Sequence, residues 1–123
     1  MSKSFAYSSD YLPPAPVVQL TLVAQRETNL EALLDTGADA TMIPISALLA
    51  IQARFVRTHR MRGVIGPAQA VQLYQVEIRI GPYTIPAIRA IAVDEDSPAI
   101  LGRDVLNHLI VMLDGIGGTV EIS

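Results

Sequence analysis

The chain has 123 residues, half of them apolar, with nine Lys and Arg against twelve Asp and Glu, two His and no Cys. That length accommodates one domain with a buried core, and the apolar content excludes a disordered tail as the body of the molecule. A net charge of −3 argues against a general nucleic-acid binder, and the lack of Cys removes disulfides and thiol nucleophiles from consideration.

Two histidines are too few for a zinc site, so no metal and no other cofactor is expected. No apolar run approaches the roughly 20 residues of a membrane span. The polar start Met1-Ser2-Lys3-Ser4 does not have the pattern of a signal peptide. The expectation is a cytoplasmic protein with neither a membrane nor a nucleic-acid partner.

Residues 1–16 lack apolar periodicity and carry Pro13-Pro14-Ala15-Pro16. This predicts a flexible arm, extended or disordered, ahead of a single domain over 17–123. Val18, Leu20 and Leu22 then alternate with Gln19 and Thr21, the period of a half-buried strand. A second apolar run, Leu30-Glu31-Ala32-Leu33-Leu34, delivers Asp35-Thr36-Gly37. Behind Pro44, residues Ile45–Gln52 predict a short helix.

Arg54, Arg57, His59, Arg60 and Arg62 form a basic stretch leading into His59–Ala68, a candidate hairpin in which Gly63 and Gly66 flank Val64 and Ile65. A long strand follows from near Val71, with Tyr74, Val76, Ile78 and Ile80 alternating with Gln75, Glu77 and Arg79. Past the Gly81-Pro82 turn come two short strands, Tyr83–Ile85 and Ala87–Val93. Ala99-Ile100-Leu101 is a strand ending in Gly102, and Arg103–Leu109 a second helix. Ile110–Leu113 and Thr119–Ile122 make a hairpin across Asp114–Gly118. Many short strands with two short helices describe an all-β domain closed into a small barrel.

The chemistry lies in Asp35-Thr36-Gly37. A carboxylate at the end of an apolar strand sits at the edge of a core, where its ionised form is poorly solvated. Gly37 permits a sharp turn and leaves its backbone open, and Thr36 adds a hydroxyl beside the acid. Alone, the triplet is equally an Asx-type turn after a strand.

A second segment changes that. Leu33-Leu34-Asp35-Thr36-Gly37-Ala38-Asp39-Ala40-Thr41 and Ile100-Leu101-Gly102-Arg103-Asp104-Val105-Leu106 together resemble the two signatures of the retropepsin-like aspartic proteases. That family includes retroviral and retrotransposon proteases, the protease-fold domain of DNA-damage-inducible proteins, and small bacterial relatives. The resemblance runs from about Val17 to Ile122. Because the chain continues past Asp114–Gly118 into another strand, it looks closest to the retrotransposon, bacterial and DNA-damage-inducible branch.

The resemblance implies a small closed acid-protease barrel and an aspartic endopeptidase without a cofactor, acting on a peptide or protein substrate. Hydrolysis without metal or covalent nucleophile needs a base to activate water and an acid to protonate the carbonyl oxygen. Two carboxyl groups about 3 Å apart do both, sharing one proton because like charges so close cannot both ionise. This chain has seven aspartates and a single Asp-Thr-Gly, so a homodimer must supply the second Asp35.

Each neighbour then acquires an implied role. Asp35, Thr36 and Gly37 form the catalytic loop, with Thr36 bonded across the twofold. Gly37, Ala38 and Asp39 meet the substrate backbone. Gly63, Val64, Ile65 and Gly66 form a flap that closes over the peptide. Asp39 and Arg103 form an ion pair locking the two signatures together, and Gly102 allows close packing beneath the loop. Two other functions remain compatible with the residues: a non-catalytic dimerisation or peptide-binding module of the same fold, and a small RNA-binding barrel supported only by the arginine cluster. The same cluster fits a solvated face or a preference for acidic residues near the scissile bond.

Overall fold

Apolar alternation shapes the first strand pair. The computed structural model describes residues 2–61 and 66–123. In it, β2 (Val17–Val23) buries Val18, Leu20 and Leu22 while Gln19 faces water. It runs antiparallel to β3 (Glu27–Leu34), with Gln19 donating to the Glu31 carboxylate at 2.9 Å on the wet face. Next come β4 (Met42–Pro44), helix α1 (Ile45–Ala50), β5 (Arg54–Met61), β6 (Gln69–Ile80) and β7 (Tyr83–Val93). The chain ends with β8 (Ile100–Leu101), helix α2 (Arg103–Leu106), β9 (Val111–Asp114) and β10 (Thr119–Ile122).

The long strand β6 closes the barrel. One of its edges carries β7. The other pairs with β5 from Gln69 to Gln75 and then with β2 from Glu77 to Arg79. The strands β2-β3-β8-β4-β7-β6 therefore form a ring that returns to β2, with β5 standing outside it. Its interior holds Leu22, Ile43, Ile78, Ile80 and Leu101, all fully buried. Each such side chain stabilises the fold by roughly 1.5–3 kcal/mol relative to exposure. Helix α1 adds Leu48 to that core and α2 adds Val105. This is the small all-β barrel that the alternation predicts.

Several elements differ in detail from expectation. Of the expected arm over 1–16, the described residues 2–16 are not free: β1 (Lys3–Ala6) pairs antiparallel with β10, and a Ser8↔Ala15 bridge folds the rest back. Polar composition hid this strand because its exposed face carries no period. Tyr83–Ile85 and Ala87–Val93 are one strand. Pro86 and Ala87 together oppose Glu77, and Ala87 takes φ 58°, so a bulge absorbs the proline and the ladder resumes at Val76↔Ile88. The first helix stops at Ala50, with Gln52 left-handed at φ 56°. The second stops at Leu106 and tightens into three-residue turns through Leu109.

Candidate active site

The two motif segments are neighbours in the barrel. β3 and β8 run parallel, pairing Leu33 with Ile100 and Leu34 with Leu101. The Asp35 N–H continues the ladder, donating to the Leu101 carbonyl at 3.0 Å. Asp35 thus leaves the sheet where β3 ends, half-buried at its rim. Its Oδ1 accepts the Gly37 N–H at 2.8 Å, and its carbonyl accepts the Ala38 N–H at 3.2 Å. The local geometry is an Asx turn, and it fixes where the carboxylate points. Thr36 and Gly37 are exposed at the crest.

The loop is held from the second segment by three contacts. Arg103 donates through Nη1 to the Thr36 carbonyl at 2.7 Å and through Nη2 to the Asp39 carboxylate. The Arg103 N–H donates to the Ala38 carbonyl at 2.9 Å. Arg103 and Asp39 are both well exposed, so as an ion pair they contribute little, roughly 0–1 kcal/mol. The fork matters more for direction, because it spans the loop from Thr36 to Asp39. Gly102 is buried beneath, and a Cβ there would stand 2.7–2.9 Å from backbone atoms of Ala40 and Ala38.

Two further residues complete the support. Thr41 is fully buried; its N–H and hydroxyl both donate to the Asp104 carboxylate, at 3.0 and 2.8 Å. The Thr41 hydroxyl in turn accepts the Gly102 N–H at 3.3 Å. Asp104 also accepts the Val105 N–H at 2.9 Å, within the first turn of α2. Both residues lie inside the motifs, yet nothing in their spacing singles them out. A polar residue within an apolar run, followed by one beside a helix start, is the only signal available.

A cavity of about 760 Å³ opens beside this core, walled by Met42, Ile45, Met61, Val71, Ile91 and Val93, with Asp94 and Ser97 at its edge. Asp35, Gly37, Ala38 and Asp39 do not line it. Of the flap candidates, Gly63, Val64 and Ile65 lie outside the described residues. Gly66 is described, exposed at φ 96°, where only glycine is unstrained. β5 and β6 pair down to Met61↔Gln69, so Gly66 lies in their connection. Among the described residues, no group of three or more His, Asp or Glu converges as metal ligands would. No helix among them is long and apolar enough to cross a membrane.

These features define an aspartyl-protease-type scaffold, and comparison with known proteins agrees. A family model described as aspartyl protease matches residues 18–105, and the chain belongs to that family. A retropepsin-like aspartic protease from Rickettsia conorii superimposes with a TM-score of 0.68 at 13% identity, covering 99% of this chain and 89% of that one. The EIAV protease, in complex with the inhibitor HBY-793, superimposes with a TM-score of 0.56 at 24% identity, covering 85% of this chain and 93% of its own. Both likenesses are of fold, and the fold is retropepsin-like. A search of curated protein sequences finds no match.

Proposed function

We propose that the protein is an aspartic endopeptidase, active as a homodimer in which the Asp35 residues of two copies form the catalytic dyad. The observation that carries this reading is the Asp35 turn itself. Its carboxylate is fixed through Oδ1 by the Gly37 N–H, at the rim of the barrel, on a loop braced by Arg103. One oxygen is committed to the turn, which leaves the other to face a second carboxyl.

In the dyad, the ionised carboxylate takes a proton from water as the water oxygen attacks the scissile carbonyl carbon. The protonated partner gives its proton to the carbonyl oxygen, forming a tetrahedral diol. Collapse of the diol breaks the C–N bond, delivers a proton to the leaving nitrogen and returns the dyad to a single shared proton. Thr36 braces the paired loops across the axis, and Gly37, Ala38 and Asp39 contact the substrate backbone. Gly63, Val64, Ile65 and Gly66 cover the bound peptide. The apolar walls of the cavity receive an apolar substrate side chain.

The test is digestion of a mixed peptide library at mildly acidic pH with wild type and Asp35→Asn. Asparagine keeps the shape of the side chain and cannot share the proton. Cleavage should disappear in the variant while its circular dichroism is unchanged. Near-wild-type cleavage would remove Asp35 from the mechanism. Peptide binding without cleavage by the wild type would leave a peptide-binding module instead.

A further inference from the structure

Positive charge is gathered on one part of the barrel. The strands β5, β6 and β7 carry five arginines and one glutamate, a net of +4 on a chain of net −3, so the remainder holds −7. Glu77, the one acid, is already held by Arg79 at 2.8 Å. Arg54, Arg57, Arg60 and Arg89 are exposed, and among the described residues none of them has an ion-pair partner. Arg54 donates through Nη2 to the Gln75 amide oxygen at 3.0 Å, a neutral acceptor that leaves its charge unbalanced.

Register sets three of these arginines on one face. Arg54 and Arg89 both oppose Gln75, from β5 and β7, and Arg57 opposes Leu73 two residues along β6. Val56 is the extra residue of a bulge, so Arg54 and Arg57 are next neighbours on that face despite their spacing in the chain. His59, opposite Val71, extends the row. β5 is also an edge: among the described residues it pairs only with β6. From Arg57 to Met61 its ladder is unbroken, so alternate residues turn their N–H and C=O groups away from β6.

We propose that β5 takes an acidic, extended segment of another protein as an added strand, with carboxylates at alternate positions set against Arg57 and Arg54. The edge backbone supplies hydrogen bonds, and the arginine row selects for acid. Charge decides the occupant. A second copy of β5 would set arginine opposite arginine, which destabilises a strand pair. A nucleic-acid strand meets no stacking platform on this face: Phe55, the exposed ring of β5, opposes Tyr74 on the other face and packs edge-on against it at 5.6 Å. A peptide strand with an acid at every second position places all of them on the arginine face, within cross-strand reach. Arg89, two strands in from the edge, strengthens the field that draws the segment in and makes no direct contact. The site lies apart from Asp35 and does not depend on the protease reading. β5 ends at Met61, in the wall of the cavity, so a protein held on this edge is brought beside it.

The probe is a fluorescein-labelled peptide of about ten residues, alternating Glu and Thr, long enough to form one strand. Its binding is read by fluorescence anisotropy on the Asp35→Asn protein, so that nothing is cut. Saturable binding is expected, weakened about ten-fold or more by the double substitution Arg54→Gln and Arg57→Gln, and by a similar factor at about 0.5 M salt. Arg26→Gln, which removes an exposed arginine outside these strands, should change nothing. A peptide of equal charge with proline at intervals cannot complete the ladder and should bind about ten-fold more weakly. No binding at low salt, equal loss in Arg26→Gln, or undiminished affinity for the proline peptide would each overturn the added strand. A single-stranded RNA that binds as tightly, with the same dependence on Arg54 and Arg57, would overturn the acidic segment in favour of nucleic acid. Failure of the wild type to cut any peptide would remove the protease reading and leave this site standing.

Discussion

Gly102 and Thr41 are where single atoms decide the loop. A methyl at position 102 has no flexible neighbour to displace, because the atoms it meets are backbone of Ala38 and Ala40. Gly102→Ala should therefore destabilise by about 3 kcal/mol, near the upper end for overpacking, and shift the Asp35 loop. Thermal melting and peptide cleavage measured together would show both losses; an unchanged melting temperature would mean the loop gives way freely. Thr41→Val preserves volume and removes the hydroxyl that both donates to Asp104 and accepts from Gly102. Leaving a buried N–H without its acceptor costs about 1–3 kcal/mol, so the variant should melt lower without losing its fold. Thr36→Ala removes an exposed hydroxyl, and the loss should be on the order of 1 kcal/mol, seen as weaker dimerisation or activity. At this scale the sequence is readable only where a residue type has few uses. Asp-Thr-Gly and Gly-Arg are such cases. Asp104 is not, since its partner Thr41 lies 63 residues away and either would be unremarkable alone.

Elements hold the site through their neighbours more than through their own propensity. The parallel pairing of β3 with two-residue β8 puts the two motifs side by side, although neither strand alone is distinctive. The loop after β7 is strapped to α1 in a similar way. Glu95 accepts from the Ser46 N–H at 2.9 Å and from its hydroxyl at 2.6 Å, while Ser97 donates to Asp94 at 3.0 Å. Asp94 and Ser97 edge the cavity, so this strap fixes one wall. Glu95→Ala should cost about 1 kcal/mol, the scale of a lost helix cap, and raise KM for peptides more than it lowers kcat. Equal loss in both would place Glu95 in the chemistry instead. Strands with one buried face, such as β2 and the long β6, announce themselves by alternation. β5 does not, because it sits outside the ring and exposes nearly every residue, so its arginines look like a polar connection. β1 is hidden for the same reason, and only its pairing with β10 makes it a strand.

For the whole molecule, the dyad reading ties activity to both protons and copies. One proton shared between two carboxyls makes the rate bell-shaped in pH, falling where both are ionised and where both are protonated. The maximum should lie on the acidic side, since raising pH removes the shared proton. A metal chelator should leave the rate unchanged; loss restored by zinc would overturn the mechanism. Because each copy carries one Asp35, activity should fall faster than linearly on dilution below the dimer dissociation constant. A statine-type peptide, whose hydroxyl mimics the tetrahedral diol, has its site only where two copies meet. It should bind at one per dimer and shift dissociating protein back to dimer, because a ligand of the assembled state alone stabilises it by RT ln(1 + [L]/Kd). Sedimentation velocity at a concentration where the free protein is half monomeric reads this directly. A single dimer peak at saturating inhibitor is the expected result, and undisturbed monomer carrying bound inhibitor would mean that the site is complete in one chain.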